Sequence, residues 1–267
     1  MALQYRDRAE EKLVDREKPA LRGAYVRNGF NPAGRVPWHW FFGAGMVHGF
    51  EIADGGVSYR NRYVHTPYVD NDLDMMEGIG DLTLSPANTH IIEHAGRLLA
   101  LEEAHFPWEM DRDLNTVGCF DYDGRLATPM TAHPKICPDT GELLAFSYFS
   151  FQPPYLHYVR ISADGRVQQV EPIDIPNMVM MHDFNVTRNH VVFMDLPVCL
   201  DLSQLSTGFP FRFNRDAGAR LGVMPRNGTN ADVKWIDIDP CYVFHPVNAH
   251  EEDGNIVLHV SRMDSAF

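Results

Sequence analysis

The sequence predicts an all-β protein, built as a propeller rather than a single sandwich. Three observations carry this. Short segments rich in β-branched and aromatic residues recur along the chain, tight-turn dipeptides separate them, and helical periodicity is nearly absent after residue 20. Strand, tight turn, strand, then a longer Pro/Gly-rich connection is the rhythm of antiparallel sheets. Over 267 residues, radially repeated sheets suit that rhythm better than one sandwich.

Taken in order, residues 1–20 form a charged lead-in, with a helical piece predicted over 9–16, and residues 21–267 form the β domain. Strands are predicted at 57–64, 90–101, 143–151, 156–161, 191–194 and 256–260, where Val, Ile, Leu, Phe and Tyr dominate. Asp54-Gly55, Asp123-Gly124, Asp164-Gly165 and Asp253-Gly254 are dipeptides that accept positive φ in hairpin turns, and Asp139-Thr140-Gly141 is a further turn. Residues 209–232, with their Arg, Asn and Gly, read as a long surface loop.

Charge narrows the partners. With 23 Lys+Arg against 36 Asp+Glu the net charge is −13, which repels nucleic-acid phosphates, so no nucleic-acid partner is expected. Apolar runs such as 191–194 are far shorter than a membrane span, and the first 20 residues are dense in charge where a signal peptide is apolar. A cytoplasmic protein is the expectation. Cys119, Cys137, Cys199 and Cys241 contain no C-x-x-C pair, so they read as buried, inert thiols rather than a disulfide framework or thiolate site. The G-x-S-x-G elbow, the Walker phosphate loop, G-x-G-x-x-G and H-E-x-x-H are all absent, and Asn227-Gly228-Thr229 reads as a turn.

The 13 histidines are more informative, because imidazole is both the commonest metal ligand and the side chain that titrates near neutrality. Three lie at the edges of apolar segments: His133 in Met130-Thr131-Ala132-His133-Pro134-Lys135, His182 in Met180-Met181-His182-Asp183-Phe184, and His245 in Tyr242-Val243-Phe244-His245-Pro246-Val247-Asn248-Ala249. Any one alone reads as a satisfied, partly buried side chain. In a propeller, corresponding strand ends converge on the axis, so residues this far apart can meet at one metal. An all-imidazole set suits Fe, Zn, Cu or Ni, and ligand type alone does not choose among them.

Arg27-Asn28-Gly29-Phe30-Asn31-Pro32, then 39–49 (HWFFGAGMVHG), the three histidine contexts in order, and Val260-Ser261-Arg262 together resemble the carotenoid cleavage oxygenase family. The resemblance runs from about Gly23 to the last residue. It implies a seven-bladed β-propeller with a non-haem Fe(II) held by four histidines, of which His133, His182 and His245 match the first three and nothing here matches the fourth. On that reading the chain holds the first half to two-thirds of the blades and is an N-terminal part of a longer protein. Glu103, in Leu101-Glu102-Glu103-Ala104, matches the first of the family's glutamates that orient the ligating imidazoles.

The implied reaction is oxidative cleavage of a conjugated C=C bond by O2, giving two carbonyl products from an apolar polyene or a stilbene, with peripheral membrane contact for substrate uptake. Phe149, Phe151, Tyr155, Phe184 and Phe244 are expected as tunnel or core aromatics. Two departures stand out. Ala44 replaces the family's acidic residue in Gly-x-Gly-Met, and Glu102 stands where lignostilbene-cleaving members carry Lys, which favours a carotenoid or apocarotenoid over a lignostilbene. A non-catalytic propeller scaffold and a metal-dependent isomerase or hydrolase are the rival readings.

Overall fold

The structure is a computed structural model that describes residues 8–15, 21–34, 36–37, 39–78, 80–207 and 209–266. Strand accounts for 45% of it and helix for 7%. The chain divides into two compact units, Met1–Met130 and Thr131–Phe267.

The first unit holds two four-stranded antiparallel sheets. One joins β1 (Arg8–Asp15), β2 (Gly23–Asn31), β3 (Ala44–Ala53) and β4 (Gly56–Tyr63) in the order β1-β4-β3-β2. The Asp54-Gly55 turn, at φ 50° and 77°, closes β3 onto β4 with two residues. The helix expected over 9–16 is instead β1, which pairs antiparallel with β4, while residues 1–7 and 16–20 lie outside the described residues. A charged segment without an apolar stripe has little to hold it as a helix, whereas an open strand edge supplies backbone partners at once.

The second sheet runs β5 (His90–His94), β6 (Arg97–Leu101), β7 (Trp108–Met110) and β8 (Thr116–Cys119) in sequence order. The single strand expected over 90–101 is thus a hairpin, turned at Ala95 and Gly96 with φ 50° and 75°. Asp123-Gly124 turns the chain beyond β8 without making a hairpin. Val47, Val64, Ala87, Ile91, Ala100, Trp108, Met110 and Leu114 pack as one buried cluster of this unit.

The second unit begins with the sheet of β9 (Lys135–Ile136), β10 (Leu143–Ser147), β11 (Leu156–Ile161) and β12 (Val167–Ile173), ordered β12-β11-β10-β9. β10 is buried at every position, which fits its unbroken Leu-Leu-Ala-Phe run. Next come β13 (Asn185–Val186), β14 (His190–Asp195), the hairpin of β15 (Val198–Leu200) with β16 (Phe211–Phe213), β17 (Ala219–Pro225) and β18 (Lys234–Ile238), forming the sheet β13-β14-β17-β18. The loop expected over 209–232 therefore contains two strands, and β17 is interior to its sheet. Its loop-like residues have packing roles: Arg220 pairs with Asp195 at 2.7 Å and lies 3.9 Å over the Trp235 ring, and a Cβ on Gly222 would stand 2.6 Å from that ring.

The last sheet is the hairpin of β19 (Pro246–Glu252) and β20 (Asn255–Val260), turned at Asp253-Gly254 with φ 49° and 78°. Only Cys241 among the four cysteines is buried. Cys137, in the β9–β10 turn, has its thiol pulled down to about 7 by the Thr140 hydroxyl, aided by the Arg226 guanidinium and by backbone N–H groups. The expectation of four inert thiols fails there. The cause is a turn that points donors at sulfur.

Candidate metal centre

Each of the three histidines lies in a short extended segment just ahead of the first strand of a sheet. His133 is two residues before β9, His182 three before β13, and His245 directly before β19. Proline follows His133 and His245, and the clash of its ring with the preceding residue keeps that residue extended. Three sheets of the second unit thus each carry one of the histidines just ahead of their first strand.

The side chains converge. His133 Nε2 lies 3.0 Å from His182 Nε2, and His182 Nε2 lies 3.1 Å from His245 Nε2. One ligand atom from each of the three falls within 4.8 Å of the others. The rings meet edge to face, at 65°, 81° and 72°, so their nitrogens point inward instead of stacking.

Three inward nitrogens are poorly served by one another, since a neutral imidazole presents either one donor or one lone pair at Nε2. A cation accepts all three lone pairs at once. Nitrogens about 2.1 Å from a common ion and at right angles to each other lie about 3.0 Å apart, against about 3.4 Å for a tetrahedral set. The separations of 3.0 and 3.1 Å are short enough for nitrogens that share one ion. Among the described residues this is the one group of three or more His, Cys, Asp or Glu side chains able to hold a metal ion.

The surroundings fix this geometry. The Phe244 ring packs edge-on against His182 at 5.5 Å and against Tyr242 at 4.9 Å. The buried Tyr242 hydroxyl donates to the Met180 carbonyl at 3.0 Å, tying the segment of His245 to that of His182. Phe184 is fully buried against Phe146 at 5.0 Å, a core residue, while Phe149 meets Phe151 at 5.6 Å and Phe151 is exposed.

Glu251 on β19 makes a second tie. It accepts from the Thr187 hydroxyl and from Asn189 N–H at 2.9 Å and Nδ2 at 2.7 Å in the β13–β14 turn, and meets Nδ1 of His190, which opens β14, at 3.0 Å. These donors, the Thr187 hydroxyl first, hold its carboxyl down at about 2. A carboxyl depressed in the folded state stabilises fully above its ordinary value near 4.5, and that contribution is lost as pH falls from there towards about 2. Glu251→Gln should therefore lower stability by about 2 kcal/mol at pH 7 and flatten the stability-versus-pH curve between pH 4.5 and 2, read by urea unfolding. An unchanged acid limb would contradict the assignment.

Glu103 lies in the first unit, in the turn after β6, and is half-buried. Its neighbour Glu102 accepts from Ala104 N–H at 2.9 Å and pairs with His105 Nδ1 at 2.5 Å. Burial works against the charged imidazole of His105, but the Glu102 carboxylate, the Gly78 backbone and Asp81 together outweigh it and the pKa is raised. Glu102 is thus held inside its own turn. His48 bonds Tyr59 at 2.6 Å, and His250 stacks on His259 across the last hairpin.

Sequence reasoning passed over Glu251, Tyr242, Lys135 and Asp183 as parts of the site. Lys135 and Asp183 stand within the quoted histidine contexts, but only a tertiary contact distinguishes them from ordinary polar residues.

Residues 19–267 match the family described as Retinal pigment epithelial membrane protein (RPE65). A carotenoid 9,10(9',10')-cleavage dioxygenase of Crocus sativus is 38% identical over 92% of the chain and 52% of its own length. A crystal structure of a Pseudomonas brassicacearum lignostilbene dioxygenase superposes with a TM-score of 0.80 at 32% identity, over 97% of this chain and 58% of that one. A cobalt-substituted apocarotenoid oxygenase from Synechocystis gives 0.80 at 26% identity, over 99% and 63%. The chain spans about half the length of the curated relatives it matches. No described helix is long and apolar enough to cross a membrane. Matched over residues 19–267 by the family's model, the chain belongs to the carotenoid cleavage oxygenase (RPE65) family, whose fold is the seven-bladed β-propeller.

Proposed function

We propose that the protein is a non-haem Fe(II) dioxygenase that cleaves a conjugated C=C bond of a carotenoid or apocarotenoid with O2, giving two carbonyl products. The observation that carries this is the convergence of His133, His182 and His245 at 3.0 and 3.1 Å. An all-imidazole set suits Fe(II) among other divalent ions, and the family resemblance selects iron. Such an ion, when bound, supplies open coordination positions at which O2 and the double bond react.

The chain's own residues do the rest. The three imidazoles hold the ion in neutral form, leaving its positive charge uncompensated. Phe244, packed edge-on against His182, helps to hold that ring in place. The resemblance implies that Glu103 orients one of the ligating imidazoles through its second N–H. Peripheral contact with a membrane, from which an apolar polyene is drawn, and a cytoplasmic location belong to the same proposal.

A lignostilbene-type substrate is the second reading, favoured by the superposition on the Pseudomonas enzyme. Against it stands Glu102, whose carboxylate is engaged by His105 and is no cationic partner for a phenolate. The test is anaerobic loading with Fe(II), then reaction of an apocarotenal and of a hydroxystilbene under 18O2, with products reduced at once to alcohols. Label in both fragments of the apocarotenal supports the proposal. Cleavage of the stilbene alone selects the second reading, and products without label overturn both.

A further inference from the structure

Between His133 and His182 runs a second contact that the metal centre does not itself require. Lys135 Nζ lies 2.7 Å from Asp183 Oδ1. Lys135 is two residues after His133 and opens β9, and Asp183 directly follows His182. The Asp183 side chain is 4% exposed and that of Lys135 34%.

Asp183 Oδ1 also accepts the Phe184 N–H at 2.8 Å, which fixes the carboxylate to its own backbone. The ammonium lies 5.9 Å over the Phe184 ring. A carboxylate this buried is costly unless paired, so the ammonium is held where the carboxylate is. Lys135 is thereby drawn to the segment of His182, and His133 with it.

We propose that Lys135 and Asp183 are a positioning pair for the metal centre, setting the separation of His133 and His182 before any ion arrives. This rests on the histidine reading of the site but concerns the protein without metal. Three imidazoles with inward-pointing nitrogens gain little from one another. Something else must hold the sheets that carry them. The buried Tyr242 hydroxyl and the Glu251 carboxylate tie the sheets of His182 and His245 together. Lys135–Asp183 is the ion pair that ties the segments of His133 and His182 at the level of the ligands. Pre-organised ligands bind more tightly because less ordering is left to be done on binding, and loss of a supporting partner typically costs 10–100-fold in metal affinity.

The test compares the wild-type chain with Asp183→Asn, Lys135→Gln and the charge-conserving Lys135→Arg. In metal-free protein with 13C-labelled histidine, ring-to-ring nuclear Overhauser contacts are expected between His133 and His182, whose centroids are 4.5 Å apart, and between His182 and His245, at 4.8 Å. Asp183→Asn and Lys135→Gln should lose the first and keep the second, and Lys135→Arg should keep both. Co2+ titration followed by visible absorbance should then show affinity lower by 10–100-fold in the first two variants and near wild type in the third.

Retention of the His133–His182 contact in both neutralised variants overturns the proposal. So does loss of both contacts together, since that reports a general loosening of the unit. If the wild type shows its ring contacts yet binds no Co2+, the metal reading fails, while the ring contacts of the variants still decide the role of the pair.

Discussion

His182→Ala should abolish stoichiometric metal binding while leaving the protein folded. His182 is the hub of the trio, since its Nε2 is the atom within 3.0 Å of His133 and 3.1 Å of His245. Removing it takes away one of the three ligands and opens a gap between the other two. The affinity lost should exceed the 10–100-fold typical of a lost supporting partner, because a coordinating bond is itself removed. The fold should tolerate the change, because His182 is only half-buried and the core beneath it is built from Phe184, Phe146 and Met181. Metal-free stability should move by no more than about 1 kcal/mol. Anaerobic titration with Fe(II), with urea unfolding of the metal-free protein beside it, checks both halves. Wild-type affinity in the variant would remove His182 from the site.

The second large effect is on stability. Gly45→Ala should destabilise the first unit by about 3 kcal/mol, the upper end of what overpacking costs. Gly45 lies on β3 in extended backbone, so conformational freedom is not the issue. Its Cα passes so close to the segment before β5 that an added Cβ would stand 2.1 Å from the Ala87 carbonyl oxygen and 2.7 Å from its carbon. Both are backbone atoms and cannot swing aside. The approach is held by Gly45 N–H donating to the Pro86 carbonyl at 2.8 Å and by two hydrogen bonds from Asn28 Nδ2, to the carbonyls of Ala87 and His90. Gly29→Ala on the neighbouring β2 is the control, because a Cβ there meets nothing within 4 Å. Equal stability losses in the two variants would contradict the account.

This explains one motif that the sequence displays without its reason. In Gly43-Ala44-Gly45-Met46, the replacement of an acidic residue by Ala44 looks like the departure that matters, yet Ala44 is simply buried and the constraint falls on Gly45. Turns were legible where Asp-Gly spells them, as at Asp54 and Asp253. The Ala95-Gly96 turn was not, because Ala carries no local hydrogen-bonding signal for positive φ. β17 was hidden because Arg220 and Gly222 read as loop residues until Asp195 and the Trp235 ring are placed beside them.

The site divides the same way. The three histidine contexts stand out in the sequence, each a polar residue between apolar runs, and the structure brings them together. The groups that hold them do not stand out. Glu251 finds Thr187 across 64 residues, and Asp183 finds Lys135 from a different sheet, so only the fold reveals either. Cys137 makes the same point, where Thr140 and Asp139 of its own turn and the distant Arg226 acidify a thiol that composition alone marks as inert.

The central claim is that three imidazoles of this chain ligate one iron. X-ray absorption at the iron edge, on protein loaded anaerobically with Fe(II) and freed of excess metal, tests it most directly. The account predicts close to one iron per chain, with a first shell of nitrogen and the outer-shell scattering characteristic of about three imidazoles. Iron absent after removal of the excess, or bound with an oxygen shell lacking imidazole scattering, would contradict it.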